Sequence, residues 1–212
     1  MKIIHIICFS FSLLSSYTSH ANSYTNDFCV ANLMLPNTPS GYPCKPEKSV
    51  TMNDFVFHGF VPGNTIEPFN FRITTAFVDS FSGLNGLGIS AARGDIDING
   101  TIPMHTHPDA TELLIIVKGR VTVGFITSTK VYSKVVKHGD IVVIPKGQLH
   151  FIANSGVRKA ILFEAFTSSN PSVQILDNQL FGNNLLTSLI AQTTALDVSQ
   201  IKKLKAQFGG SN

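Results

Sequence analysis

His105, His107 and Glu112 stand close together in the chain, and a further histidine, His150, follows downstream. Their settings are Gly100-Thr-Ile-Pro-Met-His105-Thr-His107-Pro-Asp-Ala-Thr-Glu112 and Gly139-Asp-Ile-Val-Val-Ile-Pro145-Lys-Gly147-Gln-Leu-His150-Phe-Ile-Ala-Asn154. Residues i and i+2 of a strand share a face, so His105 and His107 project together. Glu112 follows Pro108 at the start of the next apolar run, and a chain reversal there returns its carboxylate toward the imidazoles. A Pro-x-Gly turn delivers His150 to the start of a later strand. Three imidazoles and one carboxylate form a mixed N3O donor set that suits a divalent first-row ion such as Mn, Fe, Ni, Cu or Zn, whereas calcium wants more oxygens. Four protein ligands on an octahedral ion leave two positions open, which marks a working site rather than a structural one. His-x-His alone is weak evidence. The assignment rests on its spacing to Glu112 and Gly119, joined to the second element Gly-x5-Pro-x-Gly-x2-His-x3-Asn. His58 and His138 have no partners at ligand spacing and read as surface or turn residues.

The elements that must position these side chains are short β runs broken by turns. They are read at Val50–Phe60, Phe71–Val78, Leu87–Ile98, Glu112–Val117, Val121–Thr127, Val131–Val136, Ile141–Ile144, Phe151–Ala153 and Ala160–Phe166. Lys118–Arg120 reads as a hairpin turn, and His138-Gly139-Asp140 as another turn. Many short strands with Gly-marked turns predict an all-β barrel or sandwich. The tail changes period. Leu185, Leu186, Leu189 and Ile190 recur at helical spacing. A second helix opens on a capping box, Asp197 with Gln200, carries the stripe Val198, Ile201, Leu204 and Phe208, and stops at Gly209. Such a stripe packs on its own domain or on a neighbouring subunit.

Composition narrows the class. The chain has 212 residues, is 43% hydrophobic and 14% charged, and carries a formal net charge of +3. This suits one packed domain and excludes disorder, and no Lys/Arg cluster offers nucleic acid a groove. Lys2, the apolar run Ile3–Leu14 and Ser19-His20-Ala21 form a secretory signal peptide with cleavage after Ala21, too short to span a membrane. The expected division is therefore a signal peptide at residues 1–21 and a single domain at 22–212. Cys8 leaves with the signal. Cys29 and Cys44 remain as an even pair in an oxidising compartment, so a disulfide is expected, stabilising by about 3 kcal/mol for so short a loop. It would staple an irregular N-terminal segment to the domain. Arg93-Gly94-Asp95 falls inside a strand and is read as structural, because displayed adhesion motifs favour loops.

The two histidine elements resemble the paired motifs of the cupin superfamily, and the mature chain is similar throughout to the plant germin-like family. The resemblance is carried by Asp27-Phe-Cys29-Val-Ala31 and Gly41-Tyr-Pro-Cys44-Lys45. It continues through Thr106-His-Pro108, Ala110-Thr-Glu112, Lys118-Gly119 and the terminal helices. The run Glu112-Leu-Leu-Ile-Ile-Val117 resembles the branch described as auxin-binding. The resemblance implies a jelly-roll β-barrel with C-terminal α-helices, a manganese ion, Mn(2+), on His105, His107, Glu112 and His150, and a hexamer built as a trimer of dimers in the cell wall. Asn99-Gly100 stands where the family has Gly-Gly, which makes Asn99 an N-glycosylation sequon. Oxalate-oxidising members place asparagines at the positions that align with Ala92 and Ile102. Without those amides an oxalate dianion loses polar partners, so oxalate oxidase is not expected.

The expected function is a secreted, extracellular manganese protein of the apoplast with superoxide dismutase activity. No Ser-His-Asp or Cys-His set offers a protein nucleophile. The alternative is a binding protein for an aromatic carboxylate such as auxin, in a pocket walled by Ile102, Met104 and Phe151. A wall or storage protein with no catalysis is a further alternative. Asn154 is read as a supporting residue near the metal.

Overall fold

The structure is a computed structural model that describes residues 27–212; the signal-peptide reading at 1–21 lies outside the described residues. Its strands are β1 Phe71–Ala76, β2 Ser90–Ile96, β3 Thr101–Thr106, β4 Glu112–Lys118, β5 Arg120–Ile126, β6 Val131–Lys137, β7 Ile141–Ile144, β8 Leu149–Asn154, β9 Ala160–Phe166 and β10 Gln174–Ile175. Three helices follow, α1 Leu176–Phe181, α2 Thr187–Thr193 and α3 Val198–Phe208. The strands form two five-stranded antiparallel sheets, ordered β1-β2-β9-β4-β7 and β10-β3-β8-β5-β6. Period-two alternation turns one set of side chains from each sheet toward the other. Ile96, Leu114, Ile116, Val121, Val123, Ile152 and Leu162 meet there as the core. The expected all-β jelly-roll with C-terminal helices is the fold observed.

Local readings differ in instructive ways. Lys118–Arg120 is not a hairpin: β4 and β5 belong to different sheets, and the chain crosses between them at Gly119. Gly119 has φ +88°, and a Cβ on it would come 2.9 Å from Ala160 Cα, so the corner requires glycine. The β6–β7 turn at His138-Gly139-Asp140 is a second sheet-to-sheet corner, while β5 and β6 form a true hairpin closed by Thr127 N donating to Lys130 O at 2.9 Å. Sequence spacing shows that a turn exists, but the partner strand is a matter of the whole sheet.

Val50–Phe60 is not a strand. Its residues Met52–Phe55 make a 3₁₀ turn, and the rest lays aromatic rings on the outside of the first sheet, Phe60 stacking on Phe163 at 5.5 Å. The β-branched and aromatic content that suggested a ladder serves as a cover. Cys29 and Cys44 are disulfide-bonded, and Ala31 N donates to Ser82 O at 2.9 Å, so the bridge ties this segment to the domain as expected. On the outer face of β2, Arg93 and Asp95 are 7% and 1% exposed and bind one another, which removes the Arg-Gly-Asp tripeptide from display.

In the tail, Asp197 Oδ1 accepts from Gln200 N at 2.8 Å, Gln200 Oε1 accepts from Asp197 N at 3.0 Å, and Gly209 closes α3 at φ +78°. Ile201 packs with Phe181 and Ile190 on the domain's own helices. Leu185, Leu186 and Leu189, expected on the same apolar face as Ile190, are exposed. The helix α1 had no period of its own to betray it, being one short turn pair after a strand.

Candidate metal centre

The backbone of β3 and β8 builds the first half of the site. His105 and His150 face one another in register, their ring centroids 3.9 Å apart. A bulge interrupts this pairing: Ile102 opposes Ile152 and His105 opposes His150, so Pro103 and Met104 together face Phe151. The extra residue shifts the alternation by one, and Ile102 and His105 both turn inward although they differ by an odd number. His107 lies just past β3, its ring centroid 5.1 Å from that of His105 and 5.5 Å from that of His150. Glu112 opens β4, in register with Phe166 of β9. All four are buried, and one ligand atom from each lies within 4.8 Å of the others.

Hydrogen bonds define what these rings can do. His105 Nδ1 lies 2.8 Å from Pro103 O, His107 Nδ1 2.7 Å from Ser172 O and His150 Nδ1 2.9 Å from Gln148 O. A carbonyl oxygen only accepts, so each Nδ1 carries the proton and each neutral ring presents an Nε2 lone pair. His150 Nε2 stands 3.0 Å from Glu112 Oε2, and His107 Nε2 3.6 Å from the same oxygen. The other oxygen, Glu112 Oε1, is buried with no hydrogen-bond partner among the described residues. The cluster is therefore a buried set of acceptors pointed at one another, which a cation reconciles. Burial holds the His105 imidazole down at about 4, helped by the neighbouring His150, and lowers His107 as well. Both stay neutral at pH 7, the state a metal ligand needs. These residues fit a divalent first-row ion.

The remaining expected site residues go elsewhere. Ile102 joins the interior core. Phe151 follows the inward His150 and so turns outward, where its ring covers Gly124, and Met104 shares that outer bulge; neither lines the cluster. Asn154 sits at the far end of β8. Its amide donates to Ile96 O, Asp97 O and Arg158 O at 2.8–3.0 Å, and its oxygen accepts from Gly156 N, so it ties together two turns rather than the metal site. Asn99 is exposed on the β2–β3 turn at φ +63°, at the end of β3 away from His105. His58 and His138 are exposed, as read. Ala92 is fully buried beside Phe166, whose ring lies 4.9 Å from that of His107.

One residue escaped the sequence reading. Glu164 of β9 is 6% exposed, and its carboxyl is pushed well above the usual range, first by burial and then by the charge of Glu112. The signal was present: Glu164 shares the strand phase of Ala160, Leu162 and Phe166, all buried.

Comparison with known proteins gives a consistent neighbourhood. The Cupin family model matches residues 57–202. The chain is 50% identical over 208 residues to "Auxin-binding protein ABP19b" of Prunus persica, covering 97% of this chain and 98% of that one. It is 47% identical over 207 residues to a germin-like protein of Morus alba, covering 97% and 98%. Among solved structures, an oxalate oxidase superposes with a TM-score of 0.83 at 34% identity, covering 87% of this chain and 96% of that one.

Proposed function

The chain belongs to the cupin family, among its germin-like and auxin-binding members, and on that premise we propose that it is a manganese-dependent superoxide dismutase of the plant cell wall. The ion is held by Nε2 of His105, His107 and His150 and by Glu112 Oε2. The observation that carries the reading is the buried acceptor-only cluster, with every Nδ1 proton committed to a backbone carbonyl. A manganese ion bound there supplies a one-electron couple, so that two superoxide anions and two protons become dioxygen and hydrogen peroxide. The chain's own part is positional. Carbonyls of Pro103, Ser172 and Gln148 fix tautomer and ring orientation, and the apolar walls from Phe166 and Ala92 keep bulk water from the ligands. No protein nucleophile is required.

The same proposal takes residues 1–21 as a cleaved signal and 22–212 as one domain, secreted to the apoplast, glycosylated at the exposed Asn99 and assembled as a hexamer. Among the described residues no helix is long and apolar enough to cross a membrane. A second reading, a binding protein for an aromatic carboxylate, draws support from relatives named as auxin-binding. Its expected walls Met104 and Phe151 lie outside, and Phe166 is the aromatic ring against the cluster. Elemental analysis together with a superoxide assay on the secreted oligomer tests the leading reading. The expected result is about one manganese per chain, because four ligands define one site, with dismutation lost on chelation. Bound manganese with no dismutation rejects the enzyme and leaves the binding and wall-protein readings. Oxalate is not expected to be oxidised, since Ala92 and Ile102 offer its carboxylates no amide; peroxide release from oxalate by the loaded protein refutes that part.

A further inference from the structure

The Glu164 carboxyl has no place in the ligand set, yet it lies inside the same barrel. Its neighbours in register are Ala92 of β2 and Leu114 of β4, and Leu114 is two residues from Glu112. Glu112 and Glu164 are thus diagonal neighbours on one inner face, about 7–8 Å apart at the backbone and within reach of long side chains. Small residues make room for the acid: Ala92 opposes it, and a Cβ added to Gly94 would stand 3.5 Å from Glu164 Oε1. None of the ion pairs among the described residues includes Glu164, and its Oε1 is buried without a hydrogen-bond partner. A carboxylate in such a place, with no counter-charge, keeps its proton. A protonated carboxyl is a donor, and the nearest ligand of the site has an orphaned acceptor, Glu112 Oε1. Carboxylates that ligate metals are themselves hydrogen-bonded, and this partner orients them.

We propose that Glu164 is a further residue of this centre, a positioning residue whose uncharged carboxyl donates a hydrogen bond to Glu112 Oε1, directly or through one water. It thereby keeps Glu112 Oε2 turned to the histidines. The inference rests on the reading of the cluster as a metal centre. It makes Glu164 an element of the site contributed by β9, a strand that provides none of the four ligands.

The test uses the mature chain and its variants Glu164→Gln, which keeps a donor of the same shape, and Glu164→Leu, which removes it. Manganese affinity is measured by competition with a chelator, and the melting temperature of the metal-free forms is measured alongside. Glu164→Leu is expected to weaken manganese about 10–100-fold while its metal-free form melts at or above wild type, because an unpartnered buried acid has gone. Glu164→Gln is expected to stay close to wild-type affinity. Equal affinity in all three forms overturns the proposal and leaves the metal centre intact. An equal loss in both variants overturns the donor role. A Glu164→Leu chain that melts far below wild type also overturns it, showing a merely structural residue. If wild-type chain binds no manganese, the metal reading fails, and infrared spectra of the metal-free protein decide the donor separately. A protonated carboxyl band present in wild type and absent from Glu164→Gln supports an uncharged Glu164, and its absence from wild type refutes one.

Discussion

Two buried polar clusters occupy opposite faces of the same sheets, and they are built on opposite principles. On the outer face of β2, Arg93 gives Asp95 two hydrogen bonds at 2.8 and 2.9 Å, donor matched to acceptor. Inside the barrel, His105, His107, Glu112 and His150 bring together lone pairs and a carboxylate with no donor among the facing atoms. The first cluster is complete in itself and holds covering structure in place. The second is incomplete without a cation. Burial of polar groups therefore does not mark function; the balance of donors and acceptors does.

The largest effect that tests this contrast is loss of the ion. Glu112→Gln removes the anionic ligand, and the secreted protein is expected to carry no manganese by elemental analysis, while its metal-free form melts close to wild type. Full metal occupancy in this variant would break the contrast from the functional side. On the other face, Asp95→Ala leaves a guanidinium buried without its partner and is expected to destabilise the fold by about 3–5 kcal/mol in denaturant titration, with metal content per folded chain unchanged. Replacing Arg93 and Asp95 together with apolar residues should recover most of that loss, because what costs stability is the unpaired charge.

A smaller effect is the pH dependence of the metal-free fold. The folded pKa of His105, about 4, lies below its unfolded value of about 6.5, and His107 is lowered too. As pH falls through that window the unfolded chain takes up protons that the folded barrel refuses, so stability present above about 6.5 is lost toward 4, by about 3 kcal/mol from His105. Glu164 acts with the opposite sign. Its folded pKa is raised, so the unfolded chain releases a proton that the barrel keeps, and its contribution declines as pH rises. Thermal melts from pH 7 to 4 should accordingly show a steeper acid loss in metal-free Glu164→Gln than in metal-free wild type. Superimposable curves would show that one of the two directions is wrong.

The sequence alone determined the class of the fold, because strand periodicity, glycine corners and the capping box Asp197–Gln200 are local. It also determined the ligand set, because His-x-His fixes a shared face and the second motif fixes the turn before His150. Where a prediction depended on counting alternation through an irregularity, it failed: the bulge in β3 turned Met104 outward, and strict alternation along β8 turned Phe151 outward with it. Pairing across the molecule was likewise beyond local reading. Lys118–Arg120 looks like any hairpin, yet it joins two sheets, since the choice of partner strand is made by burial of both inner faces together. The three carbonyls that set the histidine tautomers carry no side-chain signature, and one of them, Ser172, lies far along the chain. Glu164 shows the division most clearly. Its strand phase marked it as inward, but only the packed barrel decided that it would sit unpartnered beside Glu112, because electrostatic cost depends on what surrounds a charge and not on its place in the sequence.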